Sequence, residues 1–494
     1  MNDKISGRKP SYSFFSRVMY GIGEFFGGGC FLIINSFYAV FLTKALGMPT
    51  ALAGTIPLVG KLWDAITDPI MGNITDRTTS RFGAKRFYIL IGSIASGLTF
   101  VLMWLRINST SIPLMYAFYI LMYCLFSTGF TIFSVPYSGL LPDMMDDYTM
   151  RSKFSNMRMV WSTLGAMVCG IVPTLMIKDN RDPSAYLRCA LLFGVLFFLS
   201  SIAVFFGTWE KQKPPVKSTF KESFPQAVSV FKNRSFRLFI GLYLFGQCGI
   251  DFISGMAVYY VDDVLNAYEN GLFTLMMAAL MVSQLLGMAA FGPIMSHTSK
   301  RNAIMIGAPI RLVGIVGLIL FSHEGASMVP ILCLTSLVGF GNAGCLTGIF
   351  AIMADMTDVD ELITSVRRPG VVSSMATFIR KVSSGVSAAV IGFLLAAVGY
   401  DEVLANTGVR QSVFTQRGIA LIFILAPAIL TVLLIVVNIR FPITGKEFGM
   451  VQRDIARRKG EESAAATGEE KAALQKVTGF AYEALWNPKN AGLH

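Results

Sequence analysis

The sequence predicts an all-α integral membrane protein with twelve membrane-spanning helices in two six-helix bundles. Three observations predict it. Of 494 residues, 53% are hydrophobic and only 15% charged, and the mean hydropathy is +0.58, far more apolar than a soluble chain of this length. Apolar runs long enough to span a bilayer, about 20 residues each, recur from end to end. Short motifs of the first half return at the corresponding runs of the second.

The runs fall at 14–43, 49–74, 87–106, 112–141, 154–177, 186–208, 236–265, 271–296, 303–322, 327–354, 371–399 and 416–440. The 46 glycines suit helices packed through small residues. The net charge of +12 does not signal nucleic acid, because the basic residues sit in short loops between apolar runs. Arg77, Arg81, Lys85, Arg86, Lys153, Lys211, Lys300, Arg301, Arg367 and Arg368 occupy one set of loops. The opposite loops hold few, among them Lys44, Lys178 and Arg181. Both termini are therefore expected to be cytoplasmic, in the plasma (inner) membrane. The N-terminus lacks a cleavable signal pattern. Seven scattered cysteines read as small packed hydrophobes, and three histidines leave little for metal or imidazole chemistry.

The polar stretch 209–235 reads as the connection between an N-terminal bundle, 1–208, and a C-terminal bundle, 236–440, followed by a cytoplasmic tail, 441–494. Pro69-Ile70-Met71 before a basic loop is matched by Pro293-Ile294-Met295. Pro142-Asp143-Met144 is matched by Ala354-Asp355-Met356. Two related bundles facing a central cavity is the plan of a transporter. The tail segment GEESAAATGEEKAA has linker composition, and Lys471 to Trp486 predicts a short helix.

Ionisable residues inside apolar runs carry the candidate chemistry, because they are costly there and face a partner or cavity. Asp64 and Asp68 lie four residues apart, on one helical face with Lys61 a turn earlier. Two carboxylates on one face make an oxygen site for a small cation or a pair sharing a proton. The opposite reading is a buried ion pair that fixes the second helix, a weak source of stability. Glu24, within GIGEFFGGG, and Asp251, within GQCGIDFISG, are placed to bind substrate or to pair with a cation. Arg158, Arg380 and Lys381 are the cations available, and Lys381 or Arg158 against Asp64, Asp68 or Glu24 makes a network that ligand would rearrange. Tyr20, Phe130, Tyr137, Tyr259 and Tyr260 are candidates to stack on a sugar ring, or core aromatics.

The segments KLWDAITDPIMGNITDRTTSRFGAKR, TIFSVPYSGLLPDM and DVDELITSVRRPGVVSSMATFIRKVSSG resemble the glycoside–pentoside–hexuronide:cation symporters, the melibiose-permease-like branch of the major facilitator superfamily. The resemblance spans roughly residues 16–458. It implies the major facilitator fold and symport of a sugar with Na+ or H+, with no other cofactor. The cation site would comprise Asp64, Asp68 and Thr131, the carboxylates being the metal ligands if the ion is Na+. Substrate would meet Glu24, Ser134, Arg158, Asp251 and Lys381, and the loop motif would be Gly72, Asp76, Arg77 and Arg81. Two acids of the melibiose transporters align with Gly28 and Ser134, and a tryptophan aligns with Ser138. These departures point toward an acidic sugar and leave Na+ and H+ both open. The partners implied are a small sugar, the cation and the lipid bilayer, with a monomeric chain. A lysolipid cargo and a non-transporting membrane sensor remain as rival readings. An enzyme is disfavoured, since no metal motif, nucleophile elbow or phosphate loop is present.

Overall fold

In the computed structural model, which describes residues 5–7, 13–107, 109, 111–145, 148–211, 228–462 and 464–491, the apolar runs are helices. They are α1 (Phe14–Tyr38), α2 (Thr50–Arg77), α3 (Ala84–Leu102), α4 (Ile112–Met144), α5 (Tyr148–Met176) and α6 (Pro183–Gly207). The second half is α7 (Arg234–Val264), α8 (Leu272–His297), α9 (Lys300–Phe321), α10 (Met328–Thr364), α11 (Pro369–Ala397) and α12 (Val413–Arg440). Starts are set locally. The side chains of Ser13, Asp182, Ser299 and Ser412 cap the first free N–H groups of α1, α6, α9 and α12.

Among the described residues, eleven helices are long and apolar enough to cross a membrane, and α2 is not one of them. Its 28 residues still reach about 42 Å at the usual helical rise. The charges at Lys61, Asp64 and Asp68 lower its hydropathy, so the helix least like a span by composition is the one that carries the candidate chemistry.

Helix pairings repeat between the halves. α1 lies against α5 and α6, α3 against α4 and α6, and α2 against α4. The second half reproduces this with α7 against α11 and α12, α9 against α10 and α12, and α8 against α10. Among the described residues three helix pairs join the halves, α2 with α11, α5 with α8 and α1 with α7. At the first, a Cβ on Gly392 would stand 2.4 Å from the Thr50 carbonyl oxygen and 3.1 Å from the Gly54 Cα. Only glycine lets the two backbones approach so closely.

The termini share one end of the bundle. Strand β1 (Ile5–Gly7) pairs antiparallel with β2 (Trp209–Lys211), at the exit of α6. Residues 212–227, most of the expected connection between the bundles, lie outside the described residues.

Two features differ from the sequence reading. The run expected at 327–354 continues as α10 to Thr364, because its late acids are neutralised. Lys300 holds Asp355, Arg368 holds Asp360, and both Arg367 and Lys459 hold Glu361. The tail is docked rather than loose. It forms α13 (Gly445–Lys459) and α14 (Gly468–Thr478), each opened by a Thr/Glu capping box. Met450, Val451, Leu474, Val477 and Leu485 bury against Phe236, Val359 and Leu362. The amides of Trp486 and Asn487 donate to the carbonyls of Leu362 and Ile363, capping helix-end acceptors that have no intrahelical donor.

Candidate functional site

The charged residues of the apolar runs converge where α2, α4 and α11 meet. On α2, Asp64 is fully buried and Lys61 nearly so. Lys61 Nζ stands 3.6 Å from Asp64 Oδ2 and 3.5 Å from the centre of the Phe31 ring, where the π face accepts its charge. Lys381 Nζ of α11 lies 3.8 Å from the same Asp64 oxygen and makes a direct ion pair with Asp68 Oδ2. Thr131 of α4 donates to Asp68 Oδ1 at 2.7 Å.

Asp64 is unusual within this group. Both its carboxylate oxygens are buried and neither meets a hydrogen-bond partner among the described residues. The hydroxyls of Tyr123 and Ser127 on α4 adjoin it, Ser127 facing the carboxylate, and neither closes a hydrogen bond of ordinary geometry. Buried polar atoms are almost always satisfied, so a carboxylate and two hydroxyls left open together form a set of oxygen donors suited to a small cation or a proton. Ser127 and Thr131 lie one turn apart on one face of α4. Sequence reasoning missed Tyr123 and Ser127. The four-residue spacing from Thr131 back to Ser127 was the available signal.

Two further pairs line up with this centre. Arg380 makes a bidentate pair with Asp251 of α7, both contacts at 2.7 Å. Consecutive helical residues diverge by about 100°, so Arg380 turns to α7 while Lys381 turns to α2. Arg158 of α5 donates to Glu24 Oε2 from Nε at 2.8 Å and lies 2.6 Å from it through Nη2. Its guanidinium sits 4.7 Å from the Tyr137 ring centre, and the Tyr137 hydroxyl donates to the Tyr20 carbonyl. Glu24 is thus held by Arg158 rather than by Arg17, which lies over Phe14.

The other residues singled out in the sequence fall around this set. Ser134 is half-buried, a turn along α4 from Thr131. Gly28 is a helix crossing, since a Cβ there would stand 2.4 Å from Ser162 Oγ, so no aspartate fits without displacing α5. Phe130 packs edge-on against Phe26 and Phe31. Tyr259 and Tyr260 are not brought to the centre; they bond Thr43 and Ser322 toward the end opposite the termini. A Cβ on Gly72 would meet Val135 at 3.9 Å, and Arg77 and Arg81 are exposed, Arg81 over the Phe82 ring. The Asp76 side chain lies outside the described residues.

Formal charges divide unevenly among these eight side chains. Glu24, Asp64 and Asp68 against Lys61 and Arg158 leave the first half one negative charge. Asp251 against Arg380 and Lys381 leaves the second half one positive charge. The ion pair from Asp68 to Lys381 closes this imbalance across the two halves.

The chain matches the family described as MFS/sugar transport protein over residues 19–445. It is 25% identical over 402 residues to the isoprimeverose transporter of Lactiplantibacillus pentosus, covering 78% of this chain and 80% of that one. It is 24% identical over 467 residues to a glucuronide carrier protein homolog of Escherichia coli (strain K12), covering 93% and 97%. A solved structure of a bacterial homolog of the human lysosomal transporter Spinster, inward-facing and unoccupied, superposes with a TM-score of 0.63 at 10% identity, covering 93% of this chain and all of that one. That likeness shows the major facilitator fold. Together with the helical bundle and its charged centre, these matches show that the chain belongs to the MFS/sugar transport protein family and is a multi-pass membrane transporter, not an enzyme.

Proposed function

We propose that this protein carries an acidic sugar of the hexuronide class together with one Na+ or H+, by alternating access of its two halves around the charged centre. The observation that carries the reading is the Asp64 carboxylate, buried between the ammonium groups of Lys61 and Lys381 with no closed hydrogen bond among the described residues. A cation taken up by Asp64 and Asp68 neutralises the first half and releases Lys381 from Asp68. The second half then holds a free positive charge, and an anionic sugar neutralises it in turn. Loading both leaves no net charge in a low-dielectric cavity, where an unbalanced one is expensive. A neutral sugar with the same cation would leave one charge over. Glu24, Ser134, Arg158 and Asp251 complete the sugar contacts in this reading, and Tyr123, Ser127 and Thr131 complete the cation shell. So many ionisable groups favour a polar cargo over a lysolipid. All of them come from one chain, so a monomer suffices. The reading places both termini in the cytoplasm and the bundle in the plasma membrane.

Uptake into liposomes tests it. Hexuronides and neutral glycosides are offered under imposed Na+ and H+ gradients, to wild type and to Asp64→Asn and Asp68→Asn. Cation-driven accumulation of the acidic sugars alone, lost in both variants, is expected. Full coupled uptake by both variants would sink the cation site, and a preference for neutral glycosides would sink the acidic cargo.

A further inference from the structure

Besides the Lys381 ion pairs at the charged centre, the described polar contacts that join the two halves gather at the end opposite the termini, around one lysine. Lys44 follows α1 and has no exposed surface. Its ammonium lies 2.5 Å from Asp262 and 2.6 Å from Asp263, the last acids of α7. Asn180 Nδ2 and Arg181 Nη2, from the connection between α5 and α6, also donate to Asp262. The side chain of Asn406, between α11 and α12, donates to the Lys44 carbonyl. Adjacent residues of an α-helix point about 100° apart, yet Asp262 and Asp263 reach the same ammonium. They do so where the end of α7, Tyr260–Val264, is wound as a π-turn. Lys44 stands in a second π-turn, Phe41–Ala45. Such turns are rare and cluster at functional places. Here they lie at the end of the first helix of each half, Ile34–Tyr38 and Phe41–Ala45 in the first and Tyr260–Val264 in the second.

From this geometry we propose that Lys44, clasped by Asp262 and Asp263, is the latch that holds this end shut, and that it must leave both carboxylates each time the transporter opens there. The proposal rests on the alternating-access reading above. A buried ion pair contributes little to stability, because desolvation offsets most of the attraction. When this end opens, water returns to all three groups and replaces what they lose. The latch therefore fixes the register of the closed end without making it too costly to release. A purely structural clamp would gain more from apolar packing, which the surroundings of Tyr259, Tyr260 and Phe423 already supply.

The test reads both ends of the molecule. Spin labels are placed at Arg106→Cys and Val329→Cys, exposed sites at the closed end in opposite halves, and separately at Arg81→Cys and His297→Cys at the terminal end. Cys124, Cys248 and Cys333, which are not buried, are changed to serine. In Lys44→Ala the longer distance at the first pair and the shorter distance at the second should both gain about tenfold in population over wild type. Lys44→Arg should restore the wild-type distribution. Should Lys44→Ala fail to fold, the double change Asp262→Asn with Asp263→Asn is expected to do the same. Loosening of the first pair with no closing of the second would mean a local structural contact and overturn the latch. Two exchanging distances in wild type that Lys44→Ala leaves unaltered would overturn the latch but not alternating access. One fixed distance at both ends in every variant would overturn both.

Discussion

Replacing Lys381 with methionine should make the protein bind its coupling cation more tightly while it loses sugar accumulation. The ammonium of Lys381 occupies Asp68 directly and stands 3.8 Å from Asp64, so it competes with the cation for the same oxygens. Methionine keeps the length and apolar body of the side chain but removes the competitor. A hydrogen bond to a charged group contributes about 1.5–3 kcal/mol. The Lys381 and Asp68 side chains are 18% and 26% exposed, and screening by water puts this pair at the low end of that range. About 1.4 kcal/mol is tenfold in affinity. Cation affinity should therefore rise about tenfold. Titrating purified protein with Na+, and separately with acid, while following thermal unfolding gives both midpoints. Counterflow in liposomes gives the sugar side. Cation affinity that stays level or falls, with coupled uptake intact, would refute the claim that Lys381 and the cation share one site.

Arg158→Lys keeps the charge but gives Glu24 one donor in place of two. Sugar affinity should fall about tenfold, the worth of one charge-assisted bond, with the cation midpoint unmoved in the same titrations. Gly392→Val drives a side chain into the Thr50 carbonyl and the Gly54 backbone; spin-label distances should report the end opposite the termini held open and transport slowed at least tenfold. In the tail, Glu470 accepts the Thr467 amide and an Arg457 bond at 2.8 Å, and these hold its carboxyl below the usual glutamate range. A depressed value means that its contribution to docking is complete above the ordinary pKa, about 4.3, and is lost as pH falls through the lowered one. Trp486 emission should show this loss in acid, and Glu470→Gln should abolish that pH dependence.

Hydropathy made eleven spans legible, and the twelfth was legible through its flaw, the charges of α2. Acids inside apolar runs pointed to Glu24, Asp64, Asp68 and Asp251, because nothing in a bilayer tolerates them unpaired. Their partners were less accessible. Arg380 and Lys381 are neighbours in sequence, and only the crossing of α11 between α7 and α2 sends one to Asp251 and the other to Asp68. Ser127 was hidden because short hydroxyl side chains in a membrane helix usually satisfy themselves on the preceding turn, and Tyr123 because it is one of 16 tyrosines. Lys44 read as a loop charge, and Asp262 and Asp263, inside the run 236–265 near its end, were not singled out. Two π-turns bring them together, and π-turns have no signature in this sequence. The overhang of α10 escaped for a similar reason, since the cations that neutralise it arrive from the following loop and from the tail.

The docked tail also bears on the order in which the molecule is made. The Ser235 hydroxyl at the start of α7 donates to the Val477 carbonyl, 242 residues later, and the carbonyls ending α10 wait for Trp486 and Asn487. Chains are synthesised from the N-terminus and their parts fold as they emerge. The first six helices can assemble early, but the second six keep an apolar seam and uncapped carbonyls until residues 450–487 have been made. Translation products that stop short of them would carry that seam exposed.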